Sequence, residues 1–505
     1  MKASKKITSN IITGILGEVV AILLGIIVPR LTLTSYGSEV NGLVNSVTQI
    51  YSYIGLLEAG IGTATLQALY KTVGKNDKDA TNSVLAATNK YYHRTGILYL
   101  IATLLFSVIY PLIISSEIPL FTMILIIVVN GIGNVIQYFF QAKFFLLLQA
   151  EGKNYIKASL GMFTNVLKNV LKIVLMSCGF DVLFVQAIAI VVSLVQMIYI
   201  SLYIRKKYKW IDLSVTPNYK AISQSKNVLV HQISMLIFNS TDNIVLSVFC
   251  GLRVVSVYSM YTLFFSMIQS FLSTFSNGVI FTLGQAFSTD RKRFMKLYDC
   301  FELYYMTLVF AVYSIAYYFI LPFLRLYTSS VNDINYIDKY LPILFISTYL
   351  LSCGRTASSN VINFAEHFKL TQNRAIIESI INISVSLIAV QFLGIFGVLI
   401  GTIAALLYRT NDMIIYASKN ILFRSASVTY KRWLCNLAIF IMIRFVDKLI
   451  VLDLSSYIKI ILWAIPYGIG TFILFFGLAS ILEPSSAKLI GKMMISRLKR
   501  IKAKS

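Results

Sequence analysis

The sequence has 505 residues, of which 57% are hydrophobic and 13% are charged, and its mean hydropathy is +0.74. Soluble globular proteins have roughly 45–50% apolar and about 25% charged residues, so a soluble fold, a disordered chain and a secreted disulfide scaffold are excluded. The net charge of +24 comes from 45 Lys and Arg against 21 Asp and Glu. In so apolar a chain it predicts basic loops beside anionic lipid, and no nucleic-acid partner.

Fourteen apolar runs are long enough to cross a bilayer, which takes about 20 residues. The first seven cover residues 11–34, 41–70, 95–114, 119–142, 158–178, 182–204 and 228–249. The second seven cover residues 254–287, 300–324, 340–364, 376–393, 397–418, 433–451 and 457–482. Because the runs are continuous and do not alternate, they predict an all-α polytopic membrane protein. Runs 41–70 and 254–287 exceed the bilayer and are expected to tilt, kink or protrude.

The basic residues predict the orientation of these spans. With the N-terminus inside, most Lys and Arg fall in cytoplasmic segments, and the external loops hold only Arg253, Arg325 and Lys339. This bias predicts a multi-pass membrane protein with both termini in the cytoplasm.

The long connection at residues 205–227 divides the spans into six and eight. It predicts an N-terminal six-helix bundle over residues 1–210 and a C-terminal six-helix bundle over residues 211–425. Residues 426–505 would add two transmembrane helices and a basic cytoplasmic tail. A weak similarity between residues 55–62 and 276–284 suggests that the bundles are related by pseudo-symmetry, with a central cavity between them as in many transporters.

The sequence contains no signature of an enzyme. His-Glu-x-x-His, Gly-x-Ser-x-Gly and P-loop motifs are absent, and the three histidines and five cysteines share no metal-ligand spacing. We therefore expect no catalytic residue, no metal and no cofactor.

Basic residues deep in the spans predict a binding site. Asn165, Lys168, Asn169 and Lys172 fall within an arc of about 100° on one helix. Lys168 would lie about 16 Å from the inner end of its span, which is too deep for its ammonium group to reach water along the lipid surface. Such a group normally faces a bundle interior or a wet cavity. The prediction is a cationic, substrate-binding cavity; the alternative is a buried ion pair that only fixes packing.

Three arginines complete the candidate substrate-binding residues. Arg355 lies in a run rich in Ser, Thr, Gly and Asn, which predicts a locally unwound segment that lines the cavity. Arg409 precedes Asp412 by three residues, so an intrahelical ion pair is as good an explanation as a ligand contact. Arg30, beside Pro29, is close enough to the outer surface to reach water.

Three acidic residues lie inside predicted spans: Glu18, Glu58 and Asp242. Each is a candidate for coupling transport to a proton or sodium gradient, and each could equally neutralise one of the basic residues. Glu378 and Asn382, which would start the run 376–393, are expected to lie near water and to need no special role.

Three stretches of this sequence resemble the polysaccharide flippases of the multidrug/oligosaccharidyl-lipid/polysaccharide exporter superfamily. They are Tyr36-Gly-Ser-Glu-Val-Asn-Gly-Leu43 with Leu56-Leu-Glu-Ala-Gly-Ile-Gly-Thr63, Leu148-Gln-Ala-Glu-Gly-Lys-Asn-Tyr155, and Gly394-Ile-Phe-Gly-Val-Leu-Ile-Gly-Thr402. The resemblance implies alternating-access transport of a polyprenyl-diphosphate-linked oligosaccharide to the outer leaflet of a bacterial plasma membrane. Surface polysaccharide biosynthesis, with its assembly enzymes as possible partners, would be the process served.

Buried Lys and Arg agree with this substrate because they can compensate the desolvation of a diphosphate. The resemblance does not place the basic residues, so Lys168, Lys172 and Arg355 are inferred from depth and charge. The alternatives are an ion-coupled multidrug exporter of the same superfamily, for whose organic cations an acidic or aromatic cavity is expected, and a membrane-embedded polymerase or glycosyltransferase. A scaffold without transport would leave the buried cations unexplained.

Overall fold

The computed structural model describes residues 2–58, 61–222, 241–450, 452–489 and 491, and within these ranges every long regular element is a helix. The side chains of residues 2–19 lie outside that description, and with them the candidate Glu18. Most of the predicted span 228–249 lies outside it as well.

The helices before residue 223 are α1 (Lys2–Ile54), α2 (Ile61–Gly74), α3 (Lys78–Ile113), α4 (Leu120–Ile136), α5 (Ala142–Ala150), α6 (Asn154–Ser177) and α7 (Val182–Lys207). Residues 241–249 form α8. The remaining helices are α9 (Leu252–Thr289), α10 (Arg291–Tyr327), α11 (Leu341–Gly354), α12 (Thr356–Phe364), α13 (Phe368–Leu393), α14 (Ile395–Ala417), α15 (Ser427–Asp447) and α16 (Tyr457–Leu482).

Nine helical stretches in the described ranges are long and apolar enough to cross a membrane. They coincide with nine of the fourteen predicted runs, so the prediction of an all-α polytopic protein is confirmed. Run 11–34 lies within α1, and run 433–451 largely coincides with α15.

Two predicted runs are interrupted helices. Run 41–70 breaks where α1 ends, at a 3₁₀ turn over Gly55–Glu58 that precedes α2. Run 340–364 breaks at Arg355, which separates α11 from α12 and confirms the interruption predicted there. The hydroxyl of Thr410 on α14 donates to the carbonyl oxygen of Leu351 at 3.2 Å, so a neighbouring helix satisfies backbone at the end of α11.

The chain divides into two compact units. Unit 1 comprises Met1–Ser259 and Ser330–Ile334, and unit 2 comprises Met260–Ser329 and Asn335–Ser505. Unit 1 has a core of buried side chains from α1, α3 and α4, among them Tyr51, Tyr99 and Ile127. The core of unit 2 contains buried, stacked aromatic rings such as those of Phe265 and Phe345.

The first of the three stretches that resemble the flippases, at residues 36–43, forms a kink in α1. Gly37 has a φ of 81°, a conformation that strains side chains with a Cβ atom. The next residue, Ser38, donates from its backbone N (2.8 Å) and its Oγ (2.5 Å) to the carboxylate of Asp333. A Cβ atom on Gly42 would lie 1.9 Å from the carbonyl oxygen of Leu252, so the two backbones touch there. The motif therefore joins α1 to the start of α9 and to the segment 330–334.

The second stretch closes the turn between α5 and α6. Lys153 donates from Nζ to Glu151 Oε2 at 2.7 Å and to the hydroxyl of Tyr208, just after α7, at 2.9 Å. The hydrogen bonds to Glu151 and Tyr208 raise the pKa of Lys153 because they stabilise its charged form. This loop thus ties the start of α6 to the end of α7.

The third stretch packs α14 tightly against α13 in unit 2. A Cβ atom on Gly401 would lie 2.1 Å from Ser386 Oγ and 2.9 Å from its Cα, so only glycine allows this approach. One turn before Ser386 in α13, the buried Asn382 donates from Nδ2 to Thr402 Oγ1 at 3.1 Å. The glycine spacing therefore serves close helix packing.

Candidate functional site

Helix α6 carries all four residues of the predicted cationic arc. Asn165 is exposed, while Lys168, Asn169 and Lys172 are half-buried. Asn169 donates from Nδ2 to Asn165 Oδ1 at 3.1 Å, one turn along the helix. This face of α6 is therefore polar and only partly covered by protein.

The apolar side of α6 points the other way. Val170 and Val174 are 43% and 50% exposed. Each follows one of the lysines by two residues, which is a rotation of roughly 200° around the helix axis. Lys168 and Lys172 consequently face away from the exposed apolar surface that lipid would cover.

The charges of the two lysines have no carboxylate partner in the described part of the chain. Lys172 donates from Nζ to Gln186 Oε1 on α7 at 2.9 Å, and Gln186 is 2% exposed. An amide oxygen satisfies a hydrogen bond but leaves the charge uncompensated. The sequence prediction omitted Gln186; the signal was an amide side chain within the apolar run of α7.

Arg30 lies on the part of α1 that packs against α6. Thr32 Oγ1 lies 3.7 Å from Met176 Sδ, and the hydroxyl of Tyr36 donates to the carbonyl oxygen of Phe180 at 2.6 Å. Both pairs are 144 residues apart, so the two helices run parallel at this point. The same offset brings Arg30, which is half-buried, to within one turn of the level of the second lysine.

In unit 2, Arg355 and Arg409 belong to a chain of ion pairs. Arg355 Nη1 lies 2.5 Å from Glu378 Oε1, and Arg409 Nε lies 3.5 Å from the other oxygen of that carboxylate. Arg409 Nη1 contacts Asp412 Oδ2 at 2.8 Å, and Arg374 Nη1 contacts Asp412 Oδ1 at 2.5 Å. Three guanidinium groups thus share two carboxylates, with one positive charge in excess. The intrahelical pair of Arg409 with Asp412, one of the two predicted explanations, is present.

The expectation that Glu378 and Asn382 lie near water is wrong, since Asn382 is fully buried and Glu378 nearly so. Helix α13 begins at Phe368, so Glu378 lies nearly three turns inside it and is only 7% exposed. The apolar run in the sequence starts later than the helix because the first turns of α13 are polar. Glu378 joins α13 to both the helix break at Arg355 and α14.

The acidic candidates Glu58 and Asp242 each accept a hydrogen bond from a tyrosine. The hydroxyl of Tyr92 donates to Glu58 Oε1 at 2.6 Å, beside the break between α1 and α2. The hydroxyl of Tyr258 donates to Asp242 Oδ2 at 2.5 Å, on the described part of α8. Both acids lie in unit 1.

Behind Glu58 lies a column of buried tyrosines. Tyr92 stacks on Tyr138 with ring centroids 6.1 Å apart, and Tyr138 contacts Tyr99 at 5.3 Å. Tyr99 in turn stacks on Tyr51 at 5.9 Å. This column places tyrosine rings in the interior of unit 1.

No group of His, Cys, Asp or Glu suited to a metal ion occurs in the ranges that the structure describes.

The fold of this chain is similar to the folds of solved transporters. A structure described as lipid II flippase MurJ, inward closed conformation, matches with a TM-score of 0.71 and 15% identity, over 92% of this chain and 99% of that one. The fold is the one shared by MurJ and the MATE transporters. An inward-facing multidrug resistance MATE family transporter of the MOP superfamily matches with a TM-score of 0.60 and 18% identity, over 81% of this chain and 96% of that one.

Two further comparisons concern the sequence. A model of the MatE family matches residues 228–388, which end within α13. A comparison with curated proteins finds no match. An outward-facing MATE transporter has the MATE fold in common with this chain as well, with a TM-score of 0.51 and 18% identity, over 82% of this chain and 94% of that one. At these identities the likeness establishes the fold.

Proposed function

We propose that this protein is a flippase that moves a polyprenyl-diphosphate-linked oligosaccharide across the bacterial plasma membrane by alternating access. The observation that carries the proposal is the polar face of α6, where Lys168 and Lys172 face away from the apolar surface without a carboxylate partner in the described ranges. The fold of MurJ and the MATE transporters supports the transport activity.

The electrostatics favour an anionic substrate. A charged group removed from water is costly unless an opposite charge or several hydrogen bonds compensate it. Two ammonium groups one helical turn apart match the two or more negative charges of a diphosphate, and lysine binds phosphate as a point charge. The lipid tail of such a substrate can stay in the bilayer while its head contacts the polar face of α6.

The arginines of unit 2 are secondary candidates for the same role. To bind Arg355 or Arg409, a diphosphate would have to displace Glu378 from both guanidinium groups. We therefore assign the ion-pair chain chiefly to holding the break between α11 and α12. Arg30 remains a candidate for a contact near the outer end of the α6 site.

Depleting the protein from its native cells tests the proposal directly. We expect the lipid-linked oligosaccharide to accumulate on the cytoplasmic side of the membrane and surface polysaccharide to disappear, because the carrier is loaded but not translocated. Mass spectrometry of extracted polyprenyl lipids measures the first effect and surface immunolabelling the second. Unchanged levels of both would reject the flippase.

The match of residues 228–388 to the MatE family favours multidrug export as a second candidate. An exporter of organic cations predicts that depletion raises the accumulation of a cationic dye such as ethidium and leaves polyprenyl lipids unaltered. The two activities therefore give opposite results in the same depleted cells.

Asp242 is the first candidate for ion coupling because its carboxylate lies in a half-buried, polar position with Tyr258 as donor. We expect Asp242→Asn to abolish the dependence of transport on the proton or sodium gradient, since the amide keeps the shape but cannot carry the charge. Transport into vesicles with and without each imposed gradient measures this. Gradient dependence equal to that of the unmodified protein would exclude Asp242, and Glu58→Gln is then the next variant.

A further inference from the structure

A cavity of about 280 Å³ lies in unit 2, between the first turns of α10 and the segment that follows α16. It is lined by Lys296, Asp299, Cys300, Ser485, Ser486, Lys488 and Leu489. At roughly 30 Å³ per molecule, its volume equals that of about nine waters, which is ample for a phosphate group. Neither the α6 site nor the ion-pair chain at Arg355 includes any of these residues.

Two lysines on separate segments supply the positive charge of this cavity. Lys296 and Lys488 are both exposed, and neither forms a hydrogen bond or ion pair with any residue that the structure describes. Their ammonium groups are therefore available to a ligand. The hydroxyl of Ser485, also on the lining, adds a donor of the kind that commonly contacts phosphate oxygens.

One carboxylate, that of Asp299, also lines the cavity, and it forms ion pairs with two arginines. Arg424 Nη1 forms an ion pair with Asp299 Oδ1, and Arg432 Nη2 lies 3.4 Å from the same oxygen. Arg424 and Arg432 also pair with Glu302 and Glu483, so these two arginines share three carboxylates. With Lys296 and Lys488 included, the charges at the cavity still sum to one positive charge. An anion, and not a cation, is the ligand that this charge distribution favours.

The depth of the cavity identifies which anion is most available. Helix α16 presents exposed apolar side chains as far as Ile481 and Leu482, which are 71% and 50% exposed. The cavity begins at the next residues, just past the end of this apolar surface. Lipid tails would cover the surface and phosphate headgroups would lie at the level of the cavity. On the predicted orientation this is the cytoplasmic leaflet.

We propose that this cavity binds a phosphate-bearing anion, with Lys296 and Lys488 as its two cationic contacts and Ser485 as a hydroxyl donor. An anionic phospholipid headgroup is the source that its depth favours, and free phosphate is the alternative source of the same chemistry. The site is separate from the transported substrate, and only its assignment to the cytoplasmic leaflet rests on the orientation proposed above.

The test compares the full-length protein with its Lys296→Gln/Lys488→Gln variant. Each protein is incubated with mixed micelles of phosphatidylglycerol and phosphatidylcholine, and native mass spectrometry counts the lipids that remain bound. Each lysine near an anionic headgroup contributes about 1 kcal/mol, so we expect the double variant to bind phosphatidylglycerol about 30-fold more weakly. Lys206→Gln/Lys207→Gln is the matched control, since it removes the same charge from the exposed end of α7.

A second arm replaces the lipid with inorganic phosphate and follows thermal unfolding. Selective retention of phosphatidylglycerol by the unmodified protein and the control supports the lipid headgroup. Stabilisation by phosphate alone, lost in the Lys296→Gln/Lys488→Gln variant, supports the free anion. If the variant equals the control in both arms, the site is rejected. Because both readouts measure binding, failure here is distinguishable from failure of the proposed transport activity.

Discussion

The Lys168→Ala/Lys172→Ala protein is expected to insert into the membrane and accumulate normally while surface polysaccharide falls at least about 100-fold. Each charge-assisted hydrogen bond to phosphate contributes about 1.5–3 kcal/mol, and two of them would be lost together. Folding should survive, because neither lysine is part of an ion pair in the described ranges and Lys172 bonds only a neutral amide there. Quantitative immunolabelling of the polysaccharide and of the protein in the membrane fraction measures both effects.

Helix α6 itself provides the control for this prediction. Val170→Ala/Val174→Ala changes two residues with the same spacing on the opposite, exposed apolar face, so polysaccharide output should stay near normal. Lys168→Arg/Lys172→Arg keeps both charges and should retain partial activity. Normal output from the double alanine variant would remove the α6 site from the proposed mechanism, and equal loss in the valine control would point to a packing role of the helix.

Glu378→Ala is expected to destabilise unit 2 by about 3 kcal/mol or more. Removing this carboxylate leaves Arg355 and Arg409 without their shared partner, and breaking a buried ion pair by deleting one side typically costs about 3–5 kcal/mol. Thermal unfolding of the purified protein with a thiol-reactive dye measures the change, because Cys300 and Cys353 in unit 2 are buried until it unfolds.

Two variants make the Glu378 result specific. Glu378→Gln keeps one acceptor oxygen and should cost less than the alanine variant, since a hydrogen bond to one of the two arginines can persist. Asp453→Ala breaks the exposed pair of Asp453 with Lys459, which solvent screens, so its effect on unfolding should be small. A loss for Glu378→Ala no larger than that for Asp453→Ala would show that the ion-pair chain does not support the fold.

The helices of this protein follow from local properties of the chain. A lipid environment requires each backbone group to be satisfied within its own segment, so a long apolar run predicts a helix with little further information. The face shared by Lys168 and Lys172 follows from helix periodicity in the same way. The interruption at Arg355 was visible as a polar patch in an apolar run.

Partners between helices could not be predicted in this way. Ser38 and Asp333 are 295 residues apart, and nothing in either neighbourhood points to the other. The same holds for Gln186, which receives the hydrogen bond of Lys172, and for Tyr92, which binds Glu58. The sequence offered ion pairing as an alternative for several buried charges, but it did not identify their partners on other helices.

Length and periodicity of the apolar runs alone therefore determined the helical membrane fold and the polar face of α6, because both depend on interactions within a few residues. Only the tertiary structure decided which buried charges are compensated. It pairs Arg355 and Arg409 with Glu378 and leaves the α6 lysines without a carboxylate among the residues it describes. The physical reason is that Coulomb energy depends on distances between side chains of different helices, and packing sets those distances.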